Sequence, residues 1–257
     1  MYLYMSFDIV IPLGPNEVSR FNEQIDYTKK NVIGYRNIYI VTPNLDVKID
    51  DCIVIDENIF PFKDFISNYF AEHNGKNNRN GWYFQQLIKF YAGRLIEGIL
   101  DNYLIIDADV FFLKPTCFMQ DDKHIFSTGD EYHIPYFTHM NLLHNSFSKV
   151  YDKSGICHHM LFSKKYTDEL FCIVEEYHKK PFWQAFITSV SEHKNHTAYT
   201  VESGASEYEL YFNYMVKNHK DNIIIRDLQW RNISANNFKN NQHDLNYDFV
   251  SVCHYLG

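Results

Sequence analysis

The chain centres on Tyr103-Leu104-Ile105-Ile106-Asp107-Ala108-Asp109-Val110-Phe111-Phe112-Leu113-Lys114-Pro115, an apolar run rich in β-branched and aromatic residues. A run of this kind predicts a strand that is buried on both faces, as in the middle of a parallel sheet. Asp107 and Asp109 interrupt the run, and burying even one carboxylate without a partner costs several kcal/mol. We therefore expect both acids at the carboxyl end of the strand, where open α/β sheets bind their ligands.

The acidic pair also predicts a metal site. Two carboxylates close together provide hard oxygen ligands, which suit Mg²⁺ or Mn²⁺. Magnesium sites of this type commonly share the ion with the phosphates of a substrate. The pattern therefore indicates that Asp107, Ala108 and Asp109 meet a metal-bound diphosphate.

The segments before this strand predict an α/β sheet. Residues 7–12, 37–42 and 52–55 have the composition of strands, and residues 16–32 have that of a helix. A strand, a helix and a strand at this spacing open a right-handed, doubly wound sheet. We expect one domain over residues 1–257, of α/β class, with a mixed, mostly parallel sheet flanked by helices.

The later segments predict more elements of the same kinds. Helices are expected over residues 62–70, 81–94, 166–180 and 182–190 and from Ser206 onward, and strands at 124–128, 222–226 and 248–255. Another apolar strand follows the pair His158 and His159. Because neighbouring side chains of a strand point to opposite faces, at most one of these histidines would serve a site.

Composition limits the class of protein. Hydrophobic residues make up 46% of the 257 residues, enough to fill a sizeable core. The net charge of -8 argues against a nucleic-acid binder, which concentrates Lys and Arg on one face. Five scattered cysteines without a Cys-x-x-Cys pair indicate neither a zinc site nor a disulfide framework. With no signal-peptide pattern and no apolar run of about 18 residues, we expect a soluble, cytoplasmic protein without a membrane span.

Two segments predict contacts with a nucleotide. Pro12-Leu13-Gly14 follows the first strand in a turn that frees the chain to wrap a nucleotide base, although a plain tight turn explains it equally well. In the helix over residues 81–94, Gln85, Gln86 and Lys89 lie within about one turn, so one face presents amide and ammonium donors. These donors suit a diphosphate; a solvated polar face is the alternative.

The order of these elements resembles the GT-A fold of nucleotide-sugar glycosyltransferases, in which an Asp-x-Asp motif binds manganese or magnesium on the donor diphosphate. More narrowly, the chain resembles a family of uncharacterised glycosyltransferase-like proteins of bacterial polysaccharide loci and large DNA viruses. The segments that carry this resemblance are Gly81-Trp82-Tyr83-Phe84-Gln85-Gln86-Leu87-Ile88-Lys89, residues 103–115, His158-His159-Met160, Ser206-Glu207-Tyr208-Glu209-Leu210-Tyr211 and Cys253-His254-Tyr255.

The resemblance implies an activity and a set of roles. The activity is transfer of a sugar from a nucleoside-diphosphate sugar, a UDP-sugar first of all, to a hydroxyl of a glycan or glycoprotein, with Mn²⁺ or Mg²⁺ as cofactor. Asp107, Asp109 and His254 match the metal ligands. Lys89 matches a basic residue that faces the diphosphate or the donor sugar. The oligomeric state does not follow from the resemblance.

An inverting transfer would also need a carboxylate that takes the proton of the acceptor hydroxyl. Glu207 is the first candidate for this base and Glu209 is the second. Ser206 and Glu209 are spaced for a capping box, which would leave Glu207 free. A capping or surface role for both acids is the alternative, so the stereochemistry of transfer stays open.

Two other functions fit parts of the pattern. Haloacid-dehalogenase-like phosphatases also end a strand in Asp-x-Asp, with the first Asp as nucleophile, but their motif lies on the first strand, whereas here it follows residue 100. A non-catalytic sugar- or nucleotide-binding protein of the same fold is the second alternative. The intact pair Asp107 and Asp109 argues against it.

Overall fold

The structure is a computed structural model that describes residues 7–15, 17–74, 79–192, 203–240 and 246–253. Its strands are β1 (Phe7–Pro12), β2 (Val32–Ile33), β3 (Tyr35–Thr42), β4 (Ile53–Asp56), β5 (Asn102–Ile106), β6 (Val110–Phe112), β7 (Thr116–Cys117), β8 (Met119–Gln120), β9 (Lys123–Ser127), β10 (His159–Ser163), β11 (Ile223–Arg226), β12 (Trp230–Ile233) and β13 (Phe249–Val252). Its helices are α1 (Val18–Asn31), α2 (Lys63–Asn74), α3 (Asn80–Leu95), α4 (Ile134–Leu143), α5 (Lys164–His178), α6 (Phe182–Ser191), α7 (Glu207–Asn218) and α8 (Ala235–Asn240). None of the described helices combines the length and the apolar character that a bilayer crossing needs.

The central sheet has five strands in the order β10-β5-β1-β3-β4. Strand β1 pairs in parallel with β3 and with β5, and β3 pairs in parallel with β4. Strand β10 runs antiparallel to β5 at one edge. Every residue of β1 is buried, which accounts for its near-continuous apolar sequence, since a central parallel strand is covered on both faces.

Helices pack directly on strands of the central sheet and on the neighbouring strand β6. Helix α3 contacts β1 and β5, helix α5 contacts β10, and helix α1 contacts β6. Gly93 lets α3 approach β5 closely, because a Cβ atom at this position would lie 2.6 Å from Cε1 of Tyr103. The predicted α/β class, with a mixed, mostly parallel sheet flanked by helices, is confirmed.

One large hydrophobic cluster joins these layers. It contains buried residues from Phe7 of β1 to Phe249 of β13. Phe90 of α3 stands among its aromatic members, with edge-on ring contacts to Phe162, Phe182 and Phe186 at centroid distances of 5.7, 5.1 and 5.8 Å. The first half and the last third of the chain therefore share the same core.

The apolar run around the acidic pair forms two strands, so the prediction of one strand is wrong in this respect. Strand β5 ends at Ile106, directly before Asp107, and β6 begins at Val110, directly after Asp109. Strand β6 pairs with β13, in a separate sheet of order β12-β13-β6. The turn between β5 and β6 lets both carboxylates leave the sheet core, where each would be desolvated. Their predicted position at the carboxyl end of a central strand is confirmed.

Candidate metal and nucleotide site

Lys89 is the centre of a buried group of charges. Its Nζ lies 2.7 Å from Oδ1 of Asp107 and 2.6 Å from Oε1 of Glu207. The side chains of Lys89 and Glu207 are only 7% and 5% exposed, and that of Asp107 is 23% exposed. Tyr208 donates a hydrogen bond of 2.9 Å from its hydroxyl to Oδ1 of Asp107. Helices α3 and α7 thus meet the carboxyl end of β5 through direct ionic contacts.

These contacts and burial shift the pKa values of Lys89, Asp107 and Glu207. Burial alone would lower the pKa of Lys89, but Asp107 and Glu207 outweigh it and raise that pKa above its ordinary value. Burial also opposes ionisation of Asp107, yet Lys89 and His158 hold the pKa of this carboxyl well below its usual range. Burial raises the pKa of Glu207, and Lys89 offsets only part of that rise. Lys89 and Asp107 are therefore a charged pair at neutral pH.

His158 completes a group that could hold a metal ion. One ligand atom from each of Asp107, Asp109 and His158 lies within 4.8 Å of the others. Nδ1 of His158 is 3.4 Å from Oδ2 of Asp107, and the backbone oxygen of His158 accepts a 2.9 Å hydrogen bond from the amide of Asp107. Its backbone has φ of 62°, in the left-handed region that is uncommon for residues other than glycine.

Asp109 has one carboxylate oxygen engaged and one without a partner. Ser251 of β13 donates a 3.0 Å hydrogen bond to Oδ2, and the amide of Val252 donates one of 2.8 Å to the backbone oxygen. Oδ1 is buried and accepts no hydrogen bond from the part of the chain that is described. Burial raises the pKa of this carboxyl. An orphaned buried oxygen of this kind calls for a partner, and a cation would provide one.

The donor set fits a divalent ion. Asp107 and Asp109 bring two carboxylates to one place beside the imidazole of His158, which must be neutral to bind a metal. Glu207 shares the ammonium of Lys89 with Asp107. Two carboxylates and an imidazole suit ions such as Mn²⁺ or Mg²⁺ better than soft metals. Among the described residues, Oδ1 of Asp109 has no hydrogen bond to give up when an ion binds.

The predicted nucleotide-binding residues lie along α3 and the end of β1. Because β1 and β5 run parallel as neighbours, Pro12-Leu13-Gly14 and the acidic turn leave the sheet at the same edge. Nε2 of Gln85 lies 3.4 Å from the place where a Cβ of Gly14 would stand. Lys89 follows Gln85 by four residues, so α3 presents both side chains on one face.

A small cavity of about 270 Å³ borders this edge. Leu13, Val18, Phe21, Asn22, Asn44, Asp46, Val47 and Lys48 line it. Gln86, in contrast, is 1% exposed, and its Oε1 accepts a 3.2 Å hydrogen bond from the amide of Glu207. Gln86 therefore holds the start of α7, whereas Gln85 faces the loop after β1.

The two acids of α7 have different surroundings. Ser206 caps the helix by accepting a 3.3 Å hydrogen bond from the amide of Glu209, which is one half of the predicted capping box. The expectation that a capping box leaves Glu207 free is wrong, because Glu207 is the ion-pair partner of Lys89. Glu209 is 1% exposed, with hydrogen bonds to its carboxylate from Ser154 and from Nδ2 of Asn213, the latter 2.8 Å long.

The sequence prediction missed His158, Tyr208 and Ser251, and its metal ligand His254 lies outside the described residues. A signal for His158 was present in the paired histidines before β10. Because β10 is antiparallel to β5 with His159 opposite Ile106, His158 comes next to Asp107, and His159 is 1% exposed. One histidine of the pair therefore faces the site, as expected.

A cleft of about 480 Å³ opens beside His158. It is lined by Thr128, Gly129, Asp130, Glu131, Lys153, His158, Asp227, Leu228, Gln229, Trp230, Arg231 and Asn232. Trp230 stacks on Phe249 with a centroid distance of 5.2 Å, presents its ring to His158 at 5.4 Å, and donates from Nε1 to the backbone oxygen of Thr128 at 3.1 Å. The indole is thereby held in one orientation at the side of the candidate metal group.

Comparisons with known proteins give structural likenesses and a family match. No protein with a curated description matches the sequence. The crystal structure of mouse xyloside xylosyltransferase 1 in its apo form is similar over 98% of this chain and 99% of that chain, with 8% sequence identity and a TM-score of 0.45. A model of the family of unknown function DUF6492 matches residues 21–233. Since that match spans most of the chain, from α1 to β12, the protein belongs to the family of unknown function DUF6492.

Proposed function

We propose that the protein is a metal-dependent glycosyltransferase that moves a sugar from a nucleoside-diphosphate sugar, a UDP-sugar first of all, to a hydroxyl of a glycan or glycoprotein. The observation that carries the proposal is the acidic turn after β5, where Asp107, Asp109 and His158 converge. The orphaned Oδ1 of Asp109 supports a cation at this place. The proposal treats residues 1–257 as one domain, with the site at the edge of its central sheet.

In this proposal Asp107, Asp109 and His158 hold Mn²⁺ or Mg²⁺, and the sequence-predicted ligand His254 joins them. A divalent ion bound there would supply the positive charge that stabilises the diphosphate as it leaves the sugar. Lys89 keeps Asp107 ionised and directed at the ion through its 2.7 Å contact. Its ammonium also adds positive charge beside the departing phosphate oxygens.

Glu207 is the proposed general base for an inverting transfer. Its carboxylate would accept the proton of the acceptor hydroxyl while the hydroxyl oxygen bonds to the anomeric carbon and the diphosphate leaves with the bonding electrons. Burial raises the pKa of Glu207, which brings the carboxylate closer to the basicity that proton transfer near neutral pH requires. Lys89, 2.6 Å away, fixes the position of its Oε1.

The two openings around the site suit the two substrates. The cavity of about 270 Å³ lined by Leu13 would take the nucleoside. Pro12 and Gly14 flank Leu13 in the chain, and Gln85 approaches Gly14; these residues would contact the same ligand. The cleft of about 480 Å³ beside His158 would take the acceptor, because it has the size of a ligand pocket and carries a fixed indole together with several planar polar side chains. A sugar ring can lie on such an indole face while its hydroxyls meet the polar groups.

The proposal is tested by donor hydrolysis and melting temperature with UDP-, GDP- and CMP-sugars, with and without Mn²⁺. We expect a manganese-dependent rise in melting temperature with a nucleoside diphosphate, because a ligand bound only by the native state stabilises it by about 2.7 kcal/mol at a hundred times its Kd. Asp109→Asn should abolish this rise and the hydrolysis while it keeps the Ser251 contact. Asp26→Asn, at an exposed position of α1, is the matched control and should behave as the wild type.

Other results of these measurements would favour one of the alternative functions. A metal-dependent rise without turnover of any donor would favour a non-catalytic nucleotide-binding protein. Release of phosphate from a phosphomonoester would favour the phosphatase alternative. The glycosyltransferase proposal fails if no nucleoside diphosphate raises the melting temperature, or if Asp109→Asn hydrolyses the donor as fast as the wild type.

A further inference from the structure

We propose that Glu209 is a positioning residue for the candidate metal group: its buried carboxylate fixes the loop of residues 154–157 so that His158 is held against the acidic turn. The inference rests on the proposed function in one respect, since it takes His158 to be a metal ligand. It gives Glu209 a different role from that of a catalytic base.

The carboxylate of Glu209 is fully engaged by neighbouring donors. Oε1 accepts from the hydroxyl of Ser154, and Oε2 accepts from Nδ2 of Asn213 at 2.8 Å. With 1% of the residue exposed, these donors leave no free side for an acceptor hydroxyl. Glu207 lies two positions earlier in α7, about 200° around the helix, and therefore faces a different neighbour.

The loop that Glu209 binds has little freedom on its other sides. The amide and carbonyl of Ser154 pair with the carbonyl and amide of Gly129 at 2.8 and 2.9 Å. A Cβ atom on Gly155 would lie 2.4 Å from Cβ of Phe212 in α7, so the loop backbone rests directly on the helix. The hydroxyl of Ser154 also accepts a 3.0 Å hydrogen bond from the amide of Ile156.

His158 stands at the end of this loop in an unfavourable backbone conformation. Its φ of 62° persists only where the surroundings impose it. Two features impose it here: the pairing of β10 with β5 on one side and the loop bound to Glu209 on the other. Loss of the Glu209 carboxylate would remove the side-chain anchor of Ser154 and leave the loop to its backbone contacts. His158 would then shift away from Asp107, from which its Nδ1 is now 3.4 Å.

The test is electron spin-echo spectroscopy of the full chain loaded with Mn²⁺, which detects a directly bound imidazole nitrogen. Every protein in this test carries His254→Ala, because His254 is the other proposed imidazole ligand. This parent chain should show the nitrogen signal and His158→Ala should lose it, which assigns the signal to His158. Glu209→Ala and Ser154→Ala should also lose it while Mn²⁺ remains bound by Asp107 and Asp109, with affinity about tenfold lower or more. Glu209→Gln should keep part of the signal, because an amide oxygen can still accept from Ser154.

Controls separate this inference from a general loss of structure. Glu176→Ala, at an exposed position of α5, should retain the signal, and every variant is compared by its melting temperature. Should Glu209→Ala fail to fold, Glu209→Gln and Ser154→Ala carry the test. A folded Glu209→Ala or Ser154→Ala protein with the full nitrogen signal and the Mn²⁺ affinity of the parent chain overturns the positioning role alone. A parent chain without any nitrogen signal, or a signal that survives when His158→Ala is added to it, overturns the assignment of His158 as a ligand and this inference with it.

Discussion

At the scale of single residues, Lys89 has the largest electrostatic effect in the site. It bonds both Asp107 and Glu207 in surroundings that are mostly closed to water. Removal of one member of a buried ion pair costs about 3–5 kcal/mol, because the remaining charge has no partner. Lys89→Met should therefore lower the free energy of unfolding by about that amount, measured by urea denaturation at pH 7.

A double variant provides the control for Lys89. Lys89→Met combined with Glu207→Gln removes one positive and one negative charge, so it should be more stable than Lys89→Met alone. Additive losses from the two substitutions would show that the 2.6 Å contact between Lys89 and Glu207 contributes no coupling.

The buried side chain of His124 should make the free energy of unfolding depend on pH. It is 3% exposed, and burial lowers its pKa from 6.5 to about 4. Between these values the unfolded chain binds a proton that the folded chain does not, so stability is complete above the unfolded pKa and falls as the pH drops toward the folded one. From pH 7 to pH 5 this residue should account for about 2 kcal/mol of lost stability.

The measurement compares urea denaturation of the wild type and His124→Gln at pH 7 and pH 5. Glutamine can still donate to Oδ1 of Asn102, which lies 3.1 Å from Nε2 of His124, but it does not titrate. The variant should therefore lose less stability than the wild type on acidification. An equal loss in both proteins would exclude His124 as a source of the pH dependence.

Single residues also mark what sequence could and could not predict in the site. Asp107 and Asp109 were predictable, because acids inside an apolar run must find a polar edge. Ser251 was not, since its contact with Asp109 spans 142 residues and arises only when β13 pairs with β6. Glu207 was a candidate from its sequence alone, but its pairing with Lys89 across 118 residues needed the packing of α7 on α3.

At the scale of elements, two glycines of helix α3 test how closely this helix packs on strand β5. Alanine stabilises a helix interior by about 1 kcal/mol relative to glycine. At Gly93, however, a Cβ would stand 2.6 Å from the buried ring of Tyr103, and forced overpacking costs typically 1–3 kcal/mol. Gly93→Ala should therefore be neutral to destabilising by up to about 2 kcal/mol, despite the better helix propensity.

Gly81 of the same helix is the matched control. A Cβ there has no neighbouring atom within 4 Å among the described residues, so Gly81→Ala should raise the free energy of unfolding by a few tenths to about 1 kcal/mol. Chemical denaturation of both variants gives the comparison. A Gly93→Ala protein as stable as Gly81→Ala would show that α3 does not press on β5.

The sequence predicted some helices and strands and missed others. The central strands and the long helices follow from hydrophobic periodicity, and their observed bounds differ from the predicted ones by a few residues. Strand β12 and helix α4 were not predicted. In β12, the half-buried Trp230 is followed by two exposed residues and then by the buried Ile233, so the strand has no apolar signature. The break between β5 and β6 was missed because both strands are fully apolar, and only their different partners separate them.

At the scale of the whole molecule, the shared core predicts cooperative unfolding. The large hydrophobic cluster includes residues from β1, α3, α7 and β13. A small second cluster around Phe111, Phe238 and Val250 shares strands β6 and β13 with the large one, so we expect the two to unfold together. We predict one calorimetric transition, with an enthalpy of roughly 0.7 kcal/mol per residue and agreement between the calorimetric and van't Hoff values. Two resolved transitions would contradict the prediction of one domain over residues 1–257.

The split of the acidic run has a mechanical consequence. Asp107 is continuous with the five-stranded sheet, whereas Asp109 is continuous with the sheet of β12, β13 and β6. An ion bound by both carboxylates would cross-link the two sheets at the short turn between β5 and β6. The turn between β5 and β6 would then become more rigid when the ion binds and less rigid when it is removed.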